Sequence, residues 1–184
     1  MKLRPAGCVA IGIILSLSSC TVGNDVKPDP ATGYISSTAG TSKATVVLYK
    51  TVDTSKYQPL ALVTAGTFAE KQIRDLGFFK EVINLEQLQT AIVTNNLGDK
   101  VPSVNDRIGI SNAAHHYKVF LWIHSKADRR GSKVYSQLIA TDPMTMEDLF
   151  ITEHVLDYVW AGVNDQNTFY PMFNSFIDWI HQRK

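Results

Sequence analysis

Five histidines, His115, His116, His124, His154 and His181, are the side chains best suited to moving protons or holding a metal near neutral pH. His115 and His116 are neighbours on an expected helix, about 100° apart, so they do not share a face as an i, i+4 pair would. No His-Glu-x-x-His occurs, and the only cysteines, Cys8 and Cys20, lie in the first 20 residues, so no zinc-ligand set is spelled out. His124 alternates with Phe120 and Trp122 along an expected strand, and His154 sits in a later one. If those strands pair, the two rings could approach each other and, with a nearby acid, serve a small-ligand or hydrolytic site. Other chemistry lacks its signature. There is no Gly-x-Ser-x-Gly elbow. The acids Asp106, Asp128, Asp142, Glu147, Asp148, Glu153, Asp157 and Asp165 show no spacing that sets two carboxylates against one substrate. Asp142, before Pro143, reads as a turn residue. Ala65-Gly66-Thr67 has no Gly-Lys-Thr after it and reads as no phosphate loop. The expectation is a protein that is not an enzyme, with no metal and no cofactor.

Aromatic residues crowd the last stretch: Tyr158, Trp160, Phe169, Tyr170, Phe173, Phe176 and Trp179. Phe169, Phe173 and Phe176 share a helical face and read as core. Tyr158 and Trp160 end a strand before the polar run Asn164-Asp165-Gln166-Asn167. Exposed rings there would form a binding surface, since such residues anchor protein contacts.

Covalent chemistry is written most clearly at Cys20. Lys2 and Arg4 open the chain without an acidic residue, and Ala6 to Leu17 is almost wholly apolar or small. Roughly a dozen such residues make a signal-peptide core and fall short of the about 20 a membrane span needs. The run ends in Leu17-Ser18-Ser19-Cys20, which resembles the lipobox of bacterial lipoprotein signal peptides. The resemblance implies cleavage after Ser19 and a diacylglycerol on the Cys20 thiol. Cys8 has no apolar run before it and leaves with the signal. The mature domain then has neither thiol nor disulfide, which suits an oxidising compartment. Two or three acyl chains hold a protein at a membrane essentially permanently, where one binds marginally. Thr21, in place of the Asp that favours inner-membrane retention, points to the outer membrane, with the domain in the periplasm.

These residues need a frame. Losing Lys2 and Arg4 leaves 16 basic against 17 acidic residues, a formal charge of −1, which gives no electrostatic reason to bind nucleic acid. Residues 21–44 are rich in Gly, Ser, Thr, Pro, Asn and Asp and read as a flexible tether, with an r.m.s. span of roughly 25–30 Å. Residues 45–184 form one domain of ordinary size. Within it, Thr45 to Tyr49 reads as a buried strand, Tyr57 to Leu76 as a helix stopped by Gly77, and Phe78 to Ile83 as a second strand. Asn84 with Gln87 three residues on is a capping box, opening a helix that runs to about Gly98. Ile110, Ala113, Ala114 and Tyr117 mark another. Lys118–Ser125, Val134–Thr141 and Leu149–Val159 are strands joined at Arg129-Arg130-Gly131-Ser132 and Asp142-Pro143-Met144-Thr145. A last helix carries Phe169, Phe173, Phe176, Ile177 and Ile180, with Pro171 in its first turn. The order β-α-β-α-α-β-β-β-α predicts an α/β (α+β) fold: one mixed sheet packed with helices, parallel where helices intervene and antiparallel in the C-terminal hairpins.

That order, the phrase Leu76-Gly77-Phe78-Phe79-Lys80-Glu81-Val82-Ile83 and a terminal hairpin on Thr141-Asp142-Pro143 resemble a periplasmic superfamily. It includes the amino-terminal domain of the Tol–Pal translocation protein, lipoproteins of curli and exopolysaccharide secretion, and activator lipoproteins of peptidoglycan synthases. The resemblance implies a binding or assembly part of the cell envelope, serving export, wall synthesis or envelope integrity, and met by an envelope protein partner or by a second copy. Two other readings stand beside it: the ligand-binding or hydrolytic site at His124 and His154, and an immunity or inhibitor lipoprotein tethered to meet a toxin or hydrolase.

Overall fold

The computed structural model describes residues 28–35, 44–156 and 165–183. Six strands, β1 (Thr45–Tyr49), β2 (Ala61–Val63), β3 (Val82–Ile83), β4 (Leu121–Arg130), β5 (Lys133–Asp142) and β6 (Glu147–Leu156), form one mixed sheet in the order β1-β6-β5-β4-β2-β3. Four helices accompany them: α1 (Thr67–Asp75), α2 (Leu85–Thr94), α3 (Arg107–His116) and α4 (Asp165–Ile180). The single mixed sheet with antiparallel C-terminal hairpins is the architecture the sequence predicts.

Each sheet face has its own apolar cluster. On one, α1 and α4 pack Ile73, Phe173, Phe176 and Trp179 against Ala61, Val63, Leu121, Ile123, Leu138 and Phe150. On the other, α2 and α3 pack Leu88, Ile92, Ile110 and Ala113 against Leu60, Leu62, Ile83, Phe120 and Trp122. The alternation of Leu60 to Val63 between the two clusters is the period-2 geometry of a strand. Burying each of the larger side chains, such as Leu, Ile, Val or Phe, contributes about 1.5–3 kcal/mol.

Local signals explain several boundaries. Asn84 and Gln87 form the reciprocal capping box, each side chain bonded to the other's backbone at 3.0 Å. Asp106 caps α3 by accepting from the Gly109 amide at 2.8 Å. Gly77, at φ +67°, ends α1 in a conformation that favours glycine.

Four expectations are corrected. The run from Tyr57 to Leu76 is not one helix. Thr54–Tyr57 is a 3-10 turn, Ala61–Val63 is strand β2, and the helix occupies only Thr67–Asp75. A strand paired in parallel on both sides and covered on both faces is apolar throughout, so its sequence carries no alternation. Strand β1 is an edge, not a buried strand: it pairs antiparallel with β6 alone, around a bulge at Val46–Leu48, and Val46, Val47 and Tyr49 are exposed. Of Phe78 to Ile83, only Val82 and Ile83 are in strand. Because α4 begins at Asp165, Pro171 falls in its second turn rather than its first.

Part of the segment read as tether, 28–35, lies against α4. Ile35 is 1% exposed, and its N–H and C=O both bond the Asn174 side chain, at 2.8 and 3.0 Å. The Tyr34 hydroxyl donates to Asp178, and Arg183 donates to the Thr32 carbonyl at 2.6 Å. Sparse apolar residues conceal such a clip, because one buried isoleucine and one amide side chain suffice to hold it.

Candidate functional site

On the α2/α3 side the helices stop at Trp122. Beyond it the sheet face continues over β4, β5 and β6 as a band of polar side chains, with alternation placing His124, Lys126, Asp128 and Arg130 beside Thr141, Ile139, Gln137, Tyr135 and Lys133.

At the inner end of this band His124 stacks on Trp122, ring centroids 4.2 Å apart. Its Nε2 lies 2.9 Å from Thr141 Oγ1, whose hydroxyl donates to Asp148 at 2.6 Å. A carboxylate only accepts, so the threonine proton is committed to Asp148 and the threonine oxygen accepts from His124 Nε2–H. The ring is thereby fixed in one neutral tautomer. Burial is the main force on its acidity, lowering the pKa to about 4; Asp148 pulls upward and Arg107 downward. Arg107 sits over the Trp122 ring at 5.5 Å and donates to the Met146 carbonyl at 3.2 Å.

At the outer end Arg130 makes a two-pronged bond to Glu153, both contacts 2.7 Å, and a third to Asp128 at 2.8 Å. Gln137 donates to the same Glu153 at 2.9 Å. The guanidinium holds the Glu153 carboxyl below its ordinary range, helped by Gln137 and opposed by burial. Arg130 also covers the Tyr135 ring at 4.6 Å. Such bidentate geometry fixes long side chains in one arrangement.

The proposed histidine pair does not form. In the register His124 faces Ile139 while His154 faces Ser136, three residues apart on β5, so the two rings lie on opposite faces of the sheet. His154 Nδ1 is 2.9 Å from the Val155 carbonyl. His115 bonds back to Ser111 at 2.9 Å, and His181 meets Phe78 edge-on at 5.6 Å. Among the described residues no group of three or more His, Cys, Asp or Glu could hold a metal ion. Asp142 is more than a turn residue. It accepts from the Met144 amide at 2.9 Å, and also from the buried Tyr57 hydroxyl at 2.7 Å and Lys56 at 3.1 Å. Burial pushes the Asp142 carboxyl up, but these three donors together leave it below its ordinary range.

Cys20 with Leu17, Ser18 and Ser19, and Tyr158 with Trp160, lie outside the described residues. Sequence reasoning missed the Thr141–Asp148 link and the Arg130–Glu153–Gln137 cluster. Both depend on which residues oppose one another across β5 and β6, and the bulge at Ala140–Thr141 resets that register. A basic run, Lys126 to Lys133, was the available signal for the outer end.

A concavity of about 270 Å³ on the other face lies between α1, α4 and the sheet, lined mainly by Phe68, Leu138, Phe169, Met172 and Phe173. Among the described residues no helix is long and apolar enough to cross a membrane.

No family model matches the chain, and no curated protein matches it. Two solved structures are similar to it. One is the C-terminal domain of LpoB from Salmonella enterica, at 16% identity and TM-score 0.38 over 55% of this chain and 84% of that one. The other is the C-terminal domain of LpoB from Escherichia coli, at 14% identity and TM-score 0.36 over 58% of this chain and 87% of that one.

Proposed function

We propose that this chain is a lipid-anchored protein of the cell envelope, held at the outer membrane through Cys20, whose periplasmic domain works by binding another protein rather than by catalysis. The observation that carries the reading is the largely polar band on β4, β5 and β6, whose inner members Thr141, Gln137 and Glu153 are buried and whose outer members Lys126, Arg130 and Lys133 are exposed. At its outer end Arg130, Asp128, Glu153 and Gln137 lock one another in place. Its one histidine is neutral, with Nε2 committed to Thr141. A rigid, partly charged platform of this kind suits recognition, because little side-chain freedom is left to lose on binding. The resemblance drawn from the Leu76–Ile83 phrase and the element order points the same way.

Two measurements test this. Crosslinking from intact envelopes with the anchored protein as bait should yield one stoichiometric partner or a closed oligomer. A monomer with no crosslinked partner sinks the binding role. Separately, Cys20→Ser should abolish acyl labelling and leave a soluble or uncleaved precursor. Normal acyl labelling of that variant refutes the anchor.

A further inference from the structure

The β4–β5 hairpin runs well past β2 on one side, while β6 accompanies β5 to its tip on the other. Strand β2 pairs with β4 only at Leu121, Trp122 and Ile123. From Ser125 to Arg130 the outer edge of β4 has no strand beside it among the described residues, while its inner edge is fully paired to β5. An edge of this length presents a row of backbone N–H and C=O groups ready to accept another strand.

The charge along this edge is one-sided. Lys126, Arg129, Arg130 and Lys133 face a single acid, Asp128, giving the arm +3, whereas the whole chain is +1. Arg130 is consumed by Glu153 and Asp128. Lys126, Arg129 and Lys133 are exposed, and none has an ion-pair partner among the described residues. Alternation sends Lys126 to one face of the arm and Arg129 to the other, so an added strand meets cations on both sides.

The arm tip also lies at the end of the sheet remote from residues 28–35. The 28–35 segment ends against the C-terminal turns of α4 and α1, with Thr32 on Arg183 and Pro28 beside Asp75 and Leu76. That end of α4 is tied to the start of β6 through Trp179 to the Lys50 carbonyl and Lys50 to Leu149 and Glu147. The arm tip lies at the other end of β6, where Val134 opposes Leu156. Ten residues of strand separate the two ends by roughly 30 Å.

We propose that the β4 edge from Ser125 to Arg130 is a docking site for an extended, acidic segment of a partner protein, which adds as a strand and is selected by Lys126, Arg129 and Lys133. The proposal rests on the partner-binding reading above. Backbone pairing supplies the affinity, and the three cations reject neutral or basic strands. Lipid headgroups fit less well, because the arm tip is remote from residues 28–35, through which a chain lipidated at Cys20 would reach the domain.

The test uses the full chain in intact cells. A photo-reactive residue replaces Ala127 on the edge or, as a control, Gln89 on α2, and the adducts are identified by mass spectrometry. The crosslinked partner segment is then made as a peptide, and its affinity is measured for the wild type and for the triple variant Lys126→Glu, Arg129→Glu, Lys133→Glu. The expected result is an adduct from 127 and none from 89, on a segment of net negative charge. The triple variant should bind that peptide at least about tenfold more weakly, and a peptide with its acids changed to lysine should restore binding to the variant. An adduct on a neutral or basic segment, an adduct on lipid, or undiminished binding by the variant overturns the proposal. A partner captured from 89 but not from 127 overturns the arm alone and leaves partner binding standing. No protein adduct from either position sinks both.

Discussion

His124 shows how a residue that looks reactive is made structural. With the ring neutral and its Nε2–H given to Thr141, a pH titration should leave His124 uncharged down to about pH 4. Its folded pKa lies below the ordinary 6.5, so the unfolded chain takes up the proton first. The contribution to stability is complete above about pH 6.5 and is lost as pH falls from there toward 4. The loss should be of order 2 kcal/mol, allowing for the ring's partial exposure. His124→Gln should flatten this slope in urea denaturation measured at pH 7 and pH 5, and an unchanged slope would mean that another group titrates there. Asp142, to which Tyr57 donates, follows the same sign at lower pH. Asp142 is held ionised, so its support is present above about pH 4 and fades below. Tyr57→Phe removes a buried donor at 2.7 Å and should cost about 1–3 kcal/mol at neutral pH, read from the urea midpoint.

At the scale of elements, α3 packs closely against the loop before it. A Cβ at Gly109 would stand 2.0 Å from the Ser103 carbonyl oxygen, which is backbone and cannot swing aside. Alanine normally favours a helix over glycine by about 1 kcal/mol. Here Gly109→Ala should instead destabilise by about 2–4 kcal/mol through overpacking, seen as a lower melting temperature. The clip on α4 makes a milder prediction. Asn174→Ala strips the Ile35 amide and carbonyl of their partner. It should leave the melting temperature of the domain within a few degrees while making residues 28–35 sensitive to protease. Resistance equal to the wild type would show that Ile35 burial alone holds the segment. What the sequence conveyed at this scale follows from period and capping. The Asn84 box, the Gly77 stop, the hairpins and the apolar face of α4 are local patterns, and each is found where it was expected. Strand β2 was hidden because it is apolar on both faces, and β1 read as buried because its β-branched residues carry no sign of which side is paired. The candidate site was legible only as separate residues. His124 and Arg130 are visible one by one, but their partners Thr141, Asp148 and Glu153 come from strand register, which a bulge shifts.

For the whole molecule, charge and covering are unevenly distributed. The polar band runs along the part of the sheet that α2 and α3 leave, and the basic edge lies at the end of β6 remote from residues 28–35. If that end is where partners meet the protein, complex formation should weaken steeply with salt, by about tenfold or more between 50 and 300 mM. Salt-independent capture would place the contact on the apolar surface around β1.

The clip on α4 also decides where force goes. Any pull on a lipidated Cys20 passes through residues 28–35 before it reaches β1. Strand β1 is five residues long, is held on one side only and is interrupted by a bulge, so traction applied to its first residue would unzip it from β6 one bond at a time. Ile35, Tyr34 and Thr32 instead hand the load to Asn174, Asp178 and Arg183. Asn174 and Asp178 belong to a helix whose Trp179 and Phe176 are wholly buried, and Arg183 lies just past its end. In a chain lipidated at Cys20 the segment would work as a strain relief, letting the domain be tugged from the membrane without β1 feeling the tension.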